Sequence, residues 1–362
     1  MNKPTGLYIH IPFCKSKCPY CDFYSVTNTD EFKEKYKDTV IRNIGFYQNL
    51  RFDTVYFGGG TPILLWREIC EILDSIGNRI TDNAEITIEA NPCSTDFNAL
   101  CSLKQSGVNR ISFGLQSGVD NELKALGRLH SGKEGADAVY LAQKAGISNV
   151  SADIMLGIPF QTEDSLKTTL SYMTQLPLSH ISAYMLKVEP DTPFAKKSVQ
   201  PADEELMTEL YIKTADYLNR NGFNQYEISN FSKNGKESRH NLKYWRCEEY
   251  IGIGPSAHSY YKGKRFSVDR NLSGFIDSPL QKTIITDENV GGYDEWAMLK
   301  LRLSEGMDFK TAQIRYNISK EQILKRCRLI PKEYLEITDS GIRLTTKGFL
   351  VSNAIIGIIS DI

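Results

Sequence analysis

Cys14, Cys18 and Cys21, in the run YIHIPFCKSKCPYCDFYS, stand at C-x3-C-x2-C spacing. As thiolates, three such side chains can hold an iron–sulfur cluster and leave one iron without a protein ligand. Four cysteines normally complete a cubane cluster, so a group supplying only three is chemically closer to an open catalytic metal site than to a closed structural one. The rival reading is zinc with a distant fourth ligand. Structural zinc sites pair C-x2-C units or add closely spaced histidines, and the sequence holds neither a second cysteine pair nor a histidine pair. The remaining cysteines, Cys70, Cys93, Cys101, Cys247 and Cys327, are scattered and read as small apolar residues or inert thiols.

An open iron needs a frame that brings other groups to it. Short apolar or alternating runs at 7–11, 54–57, 85–89, 110–113, 150–155 and 180–186 suit strands. Amphipathic stretches between them, such as 30–49, 63–76, 132–145, 162–176 and 203–221, suit helices. Alternating strands and helices imply right-handed parallel crossovers and the α/β class. The expected architecture is an incomplete parallel (β/α)6 barrel over residues 1–231, an irregular connecting segment over 232–290, and a small helical C-terminal domain over 291–362. In such folds ligands sit at the carboxyl ends of the strands. The cysteine group, residues 58–61, Glu89, Gln116 and Asp153 all fall at or beyond those ends, so topology alone gathers them around one mouth.

The chain of 362 residues is 41% hydrophobic, enough for one sizeable domain and a smaller one. Its 43 basic and 44 acidic side chains leave a net charge of -1, so nucleic acid is not an expected partner. No segment approaches the ~20 apolar residues of a membrane helix, and the N-terminal apolar run is too short and polar for a signal peptide. A cytoplasmic location is the resulting expectation, consistent with cysteines that do not form a disulfide framework.

Several residues near the strand ends have chemistry of their own. Gly58, Gly59 and Gly60 lack side chains, so backbone there can approach a ligand closely. A triple glycine alone is usually a turn; its position behind the cysteine group gives it weight. Thr61 adds a hydroxyl, Pro62 can start a helix, and Glu89 can receive an ammonium group. An acid such as Asp153 at a strand end can accept from both hydroxyls of a ribose.

YIHIPFCKSKCPYCDF followed by YFGGGTP, together with the late GxRLTxxG stretch from Gly341 to Gly348, resembles the radical S-adenosylmethionine superfamily in its coproporphyrinogen-oxidase-like branch. The resemblance implies a 4Fe-4S cluster on Cys14, Cys18 and Cys21, with its open iron chelated by the amino and carboxylate groups of S-adenosylmethionine. An injected electron would cleave that cofactor to a 5'-deoxyadenosyl radical. It further implies that Gly59, Gly60 and Thr61 meet the methionyl part and that Glu89 takes the ammonium. Gln116 and Arg128 would contact ribose and carboxylate, Asp153 the ribose, and Tyr8 and Tyr20 would pack on the cofactor.

Two features bear on activity. The decarboxylating enzymes of this branch extend the cysteine group to C-x3-C-x2-C-x-C, whereas Phe23 occupies the fourth place; they also carry a longer segment before the first strand. Conversely, HNLKYW (His240, Asn241, Tyr244, Trp245) is similar to the HNxxYW signature of the HemW-type heme chaperones. That resemblance implies heme as a further cofactor and delivery of heme to apo-hemoproteins, respiratory ones among the candidates, with an electron donor only if S-adenosylmethionine is cleaved. Imidazole is a common heme ligand, which makes His240 the candidate iron ligand, with His258 and Cys247 as nearby rivals. The alternative function is oxygen-independent coproporphyrinogen III dehydrogenation, the radical decarboxylation of propionate side chains.

Overall fold

A computed structural model describes residues 3–27, 30–288 and 290–361. Among the described residues twelve strands form one sheet. In chain order they are β1 (Thr5–Ile11), β2 (Phe52–Gly59), β3 (Ile80–Ala90), β4 (Arg110–Gln116), β5 (Asn149–Leu156), β6 (His180–Met185), β7 (Asn224–Glu227), β8 (Asn230–Ser232), β9 (Tyr250–Ile253), β10 (His258–Tyr261), β11 (Lys264–Val268) and β12 (Thr283–Asp287). Strands β1 to β6 are consecutive and parallel, as the strand–helix alternation requires. Helices including Lys33–Gly45, Trp66–Ile76, Phe97–Gln105, Gly132–Lys144 and Glu163–Gln175 make the crossovers.

Side chains alternate across these strands, and the two faces differ sharply in chemistry. Leu7, Ile9 and Ile11, Val55 and Phe57, Ile86 and Ile88, Ile111 and Phe113, and Val150, Ala152 and Ile154 form the buried core beneath the helices. The opposite face carries Tyr8 and His10, Thr54 and Tyr56, Glu85, Thr87 and Glu89, Arg110 and Ser112, Ser151 and Asp153, then His180, Ser182 and Tyr184. The interior of the half-barrel is therefore a polar network lying under the strand ends.

Residues 232–290, expected to be irregular, instead extend the sheet. β9 adds in parallel beside β1, and β10, β11 and β12 follow antiparallel. These strands are four or five residues long, too short for alternation to stand out among glycines and aromatics. At the other end β8 and β7 pair antiparallel beyond β6. The C-terminal region is helical as expected, but it also contains a three-stranded sheet of β13 (Met307–Asp308), β14 (Leu335–Ile337) and β15 (Gly341–Leu344), with β15 central. Gly341, the first residue of the GxRLTxxG stretch, begins β15, where an added Cβ would collide with the Met307 carbonyl oxygen.

Candidate cofactor site

The loop after β1 is tied at its base. Val26 N–H donates to the Pro12 carbonyl at 2.7 Å and Cys14 N–H to the Val26 carbonyl at 3.0 Å. Between these ties Cys14, Cys18 and Cys21 are free thiols facing a cavity of about 620 Å³, a size typical of small-molecule sites. Gly59, Gly60, Thr61, Glu89, Gln116, Arg128, Asp153 and Tyr20 line the same cavity. Two of the residues singled out in the sequence, Tyr8 and His240, do not.

The three glycines pack closely on neighbouring protein atoms, and two of them, Gly59 and Gly60, also line the cavity. Gly60 N–H donates to the Ile11 carbonyl at 2.7 Å, and Thr61 N–H to the Phe13 carbonyl at 2.8 Å. A Cβ on Gly60 would lie 2.7 Å from the Phe13 oxygen and 3.0 Å from Cys14 Sγ. Gly59, at φ 115, has the His10 ring 2.7 Å from where its Cβ would be, a conformation that side-chain-bearing residues rarely adopt. The glycine run thus lets the β2 end lie directly against the cysteine loop.

Glu89 is the best-held acid of the site. Tyr56 hydroxyl donates to Oε1 at 2.8 Å, and Gly59 N–H donates to Oε2 at 3.0 Å. Burial pushes its carboxyl up to about 7, against the pull of the Tyr56 hydroxyl and with Asp153 adding to the rise. Asp153 is also pushed up by burial, countered by Ser182, Arg110 and Ser112; Ser112 Oγ donates to it at 3.4 Å. Arg110, 2% exposed, supplies the positive charge that keeps this acidic interior tolerable. Gln116 ends β4 at φ 70, a conformation that turns the chain at the cavity wall.

Arg128 stands at the cysteines. Its Nη1 donates to Cys18 Sγ at 3.4 Å and its Nη2 to the Gly114 carbonyl, while its Nε is buried without a partner. Thr61 Oγ1 donates to Cys14 Sγ at 3.6 Å. On the opposite flank Met155, Met185 and Leu186 are apolar, and Phe23 and Tyr184 line the opening, with 66% and 42% exposed.

Tyr8 lies one layer below. Its hydroxyl donates to His10 Nδ1 at 3.0 Å, and His10 Nε2 donates to the Tyr24 carbonyl at 2.9 Å. Burial lowers the His10 imidazole to about 4, so it stays neutral and serves as a brace under the cysteine loop. No local motif marks Tyr56, Arg110, Ser112 and Ser182. Their period-two spacing with Thr54, Asp153 and His180 was the available clue, since polar residues at alternate strand positions share a face.

His240 does not reach the cavity. It sits on the short helix Arg239–Trp245, capped by Ser238, at the opposite end of the polar interior. Its ring is wholly buried, with Nδ1 2.8 Å from Thr54 Oγ1 and Nε2 2.9 Å from the Tyr244 hydroxyl. Burial, with the Lys243 charge nearby, lowers it to about 3. The sequence offers His240 as an iron ligand; in this conformation both ring nitrogens are engaged and no face of the ring is open to a macrocycle. The helix is pinned by Lys243, whose ammonium meets Asp53 at 2.9 Å and Glu248 at 3.3 Å. Gly6 makes room for it, because a Cβ there would lie 2.9 Å from Lys243 Cδ and 3.2 Å from His240 Cε1. Of the rivals, His258 is exposed on β10 and Cys247 follows the helix at φ 50.

The chemistry of the donor set suits an iron–sulfur cluster and its cofactor, because three free thiols line one cavity and the arginine that meets one of them keeps an unpartnered N–H; among the described residues no three such side chains stand close enough to share a single metal ion. Sequence comparison agrees. Residues 8–173 match the model of the radical SAM superfamily, and 293–351 match that of the HemN C-terminal domain. The heme chaperone HemW of Bacillus subtilis is 34% identical over 97% of this chain and 97% of its own length. The protein of the same name from Escherichia coli is 36% identical over 70% of each chain. The solved structure of coproporphyrinogen III oxidase (HemN) from Escherichia coli superposes with a TM-score of 0.83 at 19% identity, covering 99% of this chain and 90% of that one; at that identity the likeness concerns the fold. The chain belongs to the radical SAM superfamily and, within it, to the family of the HemW heme chaperones.

Proposed function

We propose that this protein is a heme chaperone: it holds a 4Fe-4S cluster on Cys14, Cys18 and Cys21, binds S-adenosylmethionine at the open iron, and passes heme to apo-hemoproteins. The observation that carries this reading is the full-length likeness to chains named heme chaperone. Phe23 at the cavity mouth supports it, because the fourth cysteine of the decarboxylating branch has no counterpart there.

In this reading the residues divide the work. Thr61, Arg128 and the Gly60 contact hold the cysteine loop. Glu89, Gln116 and Asp153 orient the cofactor, and Met155, Met185 and Leu186 exclude water from its apolar parts. When bound, the cluster supplies single-electron chemistry and a Lewis-acidic iron. Glu89 is ready to accept an ammonium, since each of its oxygens keeps lone pairs beyond the bonds to Tyr56 and Gly59. Heme binding does not use the His240 ring in the conformation described, so its ligand lies elsewhere or the helix Arg239–Trp245 must first move away. Among the described residues no helix is long and apolar enough to cross a membrane.

The test is heme transfer. Protein reconstituted anaerobically and loaded with heme is mixed with an apo-hemoprotein, and the Soret bands of donor and acceptor are followed. Movement of heme to the acceptor faster than from free heme supports the proposal. Failure to bind heme, or heme that never leaves, overturns it.

A further inference from the structure

Each cluster thiol receives at least one hydrogen bond. Thr61 Oγ1 donates to Cys14 at 3.6 Å, Arg128 Nη1 at 3.4 Å and the Tyr20 hydroxyl to Cys18, and the backbone N–H of residue 23 to Cys21. Three of these four donors are neutral. Only Arg128 brings a full charge, and it is fixed there by a second bond to the Gly114 carbonyl and by the Tyr20 hydroxyl. Lys15 and Lys17, which lie between the cysteines in sequence, are exposed and screened by solvent.

We propose that Arg128 sets the reduction potential of the cluster through its contact with Cys18, and that the same guanidinium links that potential to cofactor binding. This rests on the reading of Cys14, Cys18 and Cys21 as cluster ligands. Reduction adds one electron from an external one-electron donor. No proton moves, and the cluster with its thiolates becomes one unit more negative. A guanidinium held against a ligand sulfur stabilises the reduced form more than the oxidised one, so the potential rises; hydrogen bonds to cluster sulfurs are among the determinants of potential. Charge-assisted bonds are about twice as strong as neutral ones, which places Arg128 above Thr61 and the residue 23 amide. The guanidinium of Arg128 lines the cavity and its buried Nε has no acceptor in the protein, so its hydrogen-bonding capacity is not used up by protein partners. A carboxylate meeting it draws on the same positive charge that Cys18 shares. By linkage, cofactor affinity and cluster reduction must then alter one another by the same factor.

The experiment is a redox titration of the reconstituted protein, followed by electron paramagnetic resonance, on wild type, Arg128→Met, Arg128→Lys and Thr61→Val. Iron and sulfide are measured first: a wild-type protein carrying zinc and no sulfide removes the cluster reading itself, independently of Arg128. With clusters loaded, Arg128→Met is expected to lower the reduced-to-oxidised ratio at a fixed potential about tenfold, a shift of about 59 mV for one electron. Arg128→Lys should fall between wild type and Arg128→Met, and Thr61→Val should shift less than Arg128→Met. A loaded Arg128→Met with the wild-type midpoint overturns the proposal, as does Arg128→Lys falling as far as Arg128→Met. Should Arg128→Met fail to load, wild type grown on arginine with a heavy-nitrogen guanidinium decides. Hyperfine coupling from that nitrogen to the reduced cluster is expected, and its absence overturns the assignment.

Discussion

Tyr56 and Glu89 are joined across adjacent strands by a 2.8 Å hydrogen bond from the phenol to Oε1, deep in the polar half-barrel and at the edge of the cofactor cavity. The bond orients a carboxyl that burial raises to about 7 from the ordinary 4.5. An ammonium group needs that carboxyl ionised. S-adenosylmethionine should therefore bind about tenfold more weakly at about pH 6 than at about pH 8, and Glu89→Gln should bind weakly with little pH dependence. Equilibrium dialysis at the two pH values checks this; a wild-type affinity that is flat over the range contradicts the role given to Glu89.

The same shift has a consequence for the empty protein, with the opposite trend. Between about 4.5 and about 7 the folded chain holds a proton on Glu89 that the unfolded chain has released. Stability from this group thus falls as pH rises through that window, by up to roughly 1.4 kcal/mol per pH unit. Glu227, likewise raised to about 7 by burial, acts in the same sense. All five histidines act against them. Burial lowers His10 and His130 to about 4 and His240 to about 3, and lowers His180 and His258 as well. The unfolded chain takes up these protons near 6.5 and the folded chain does not, so stability falls as pH drops below that value. The imidazoles outnumber the two carboxyls raised to about 7, so the net trend is a loss of stability on acidification. Urea midpoints at about pH 7 and about pH 5.5 should differ in that direction, and equal midpoints would show that these imidazoles are not held neutral.

Gly60→Ala should spoil the cluster without unfolding the protein. The added methyl meets the Phe13 carbonyl at 2.7 Å and Cys14 Sγ at 3.0 Å, and a backbone oxygen cannot swing aside as a flexible side chain can. The cysteine loop must shift, so iron and sulfide per chain should drop to a minor fraction of wild type while the far-ultraviolet dichroism is kept. Full loading of Gly60→Ala contradicts this close approach.

His240→Ala should act on stability first. It removes two ring hydrogen bonds and opens a void beside Tyr56, whose ring centroid lies 5.3 Å from that of His240. A cost of about 2–4 kcal/mol follows from lost bonds and cavity together, measured by chemical denaturation of the heme-free protein. Gly6→Ala, which crowds the same ring from β1, should also destabilise while leaving the imidazole present. If His240→Ala abolishes heme uptake with no loss of stability, the ring is an iron ligand and the helix opens to offer it.

Much of this site was legible in the sequence because its signals are local. The spacing of Cys14, Cys18 and Cys21, the glycine run and the strand-end positions of Glu89, Gln116 and Asp153 each sit within a few residues, and parallel topology does the rest. Strands β1 to β6 were anticipated for the same reason. What escaped depends on distant partners. Arg128 meets Cys18 across 110 positions, and Lys243 meets Asp53 across 190, separations that no pattern in one sequence encodes. The interior placement of His240 follows from Gly6, Thr54 and Tyr244 closing around it, so the HNLKYW run, read as part of an irregular connection, disclosed neither its helix nor which way its imidazole faces. Strands β9 to β12 were missed because each is too short to show a period.

The most direct measurement offers the reconstituted protein two porphyrin ligands in parallel. One sample receives coproporphyrinogen, S-adenosylmethionine and a reductant, the other receives heme followed by an apo-hemoprotein. A heme carrier with Phe23 at its cavity mouth should release no carbon dioxide and form no protoporphyrinogen, while passing heme to the acceptor. Protoporphyrinogen formed with matching 5'-deoxyadenosine, in a protein that fails to hand over heme, would contradict it.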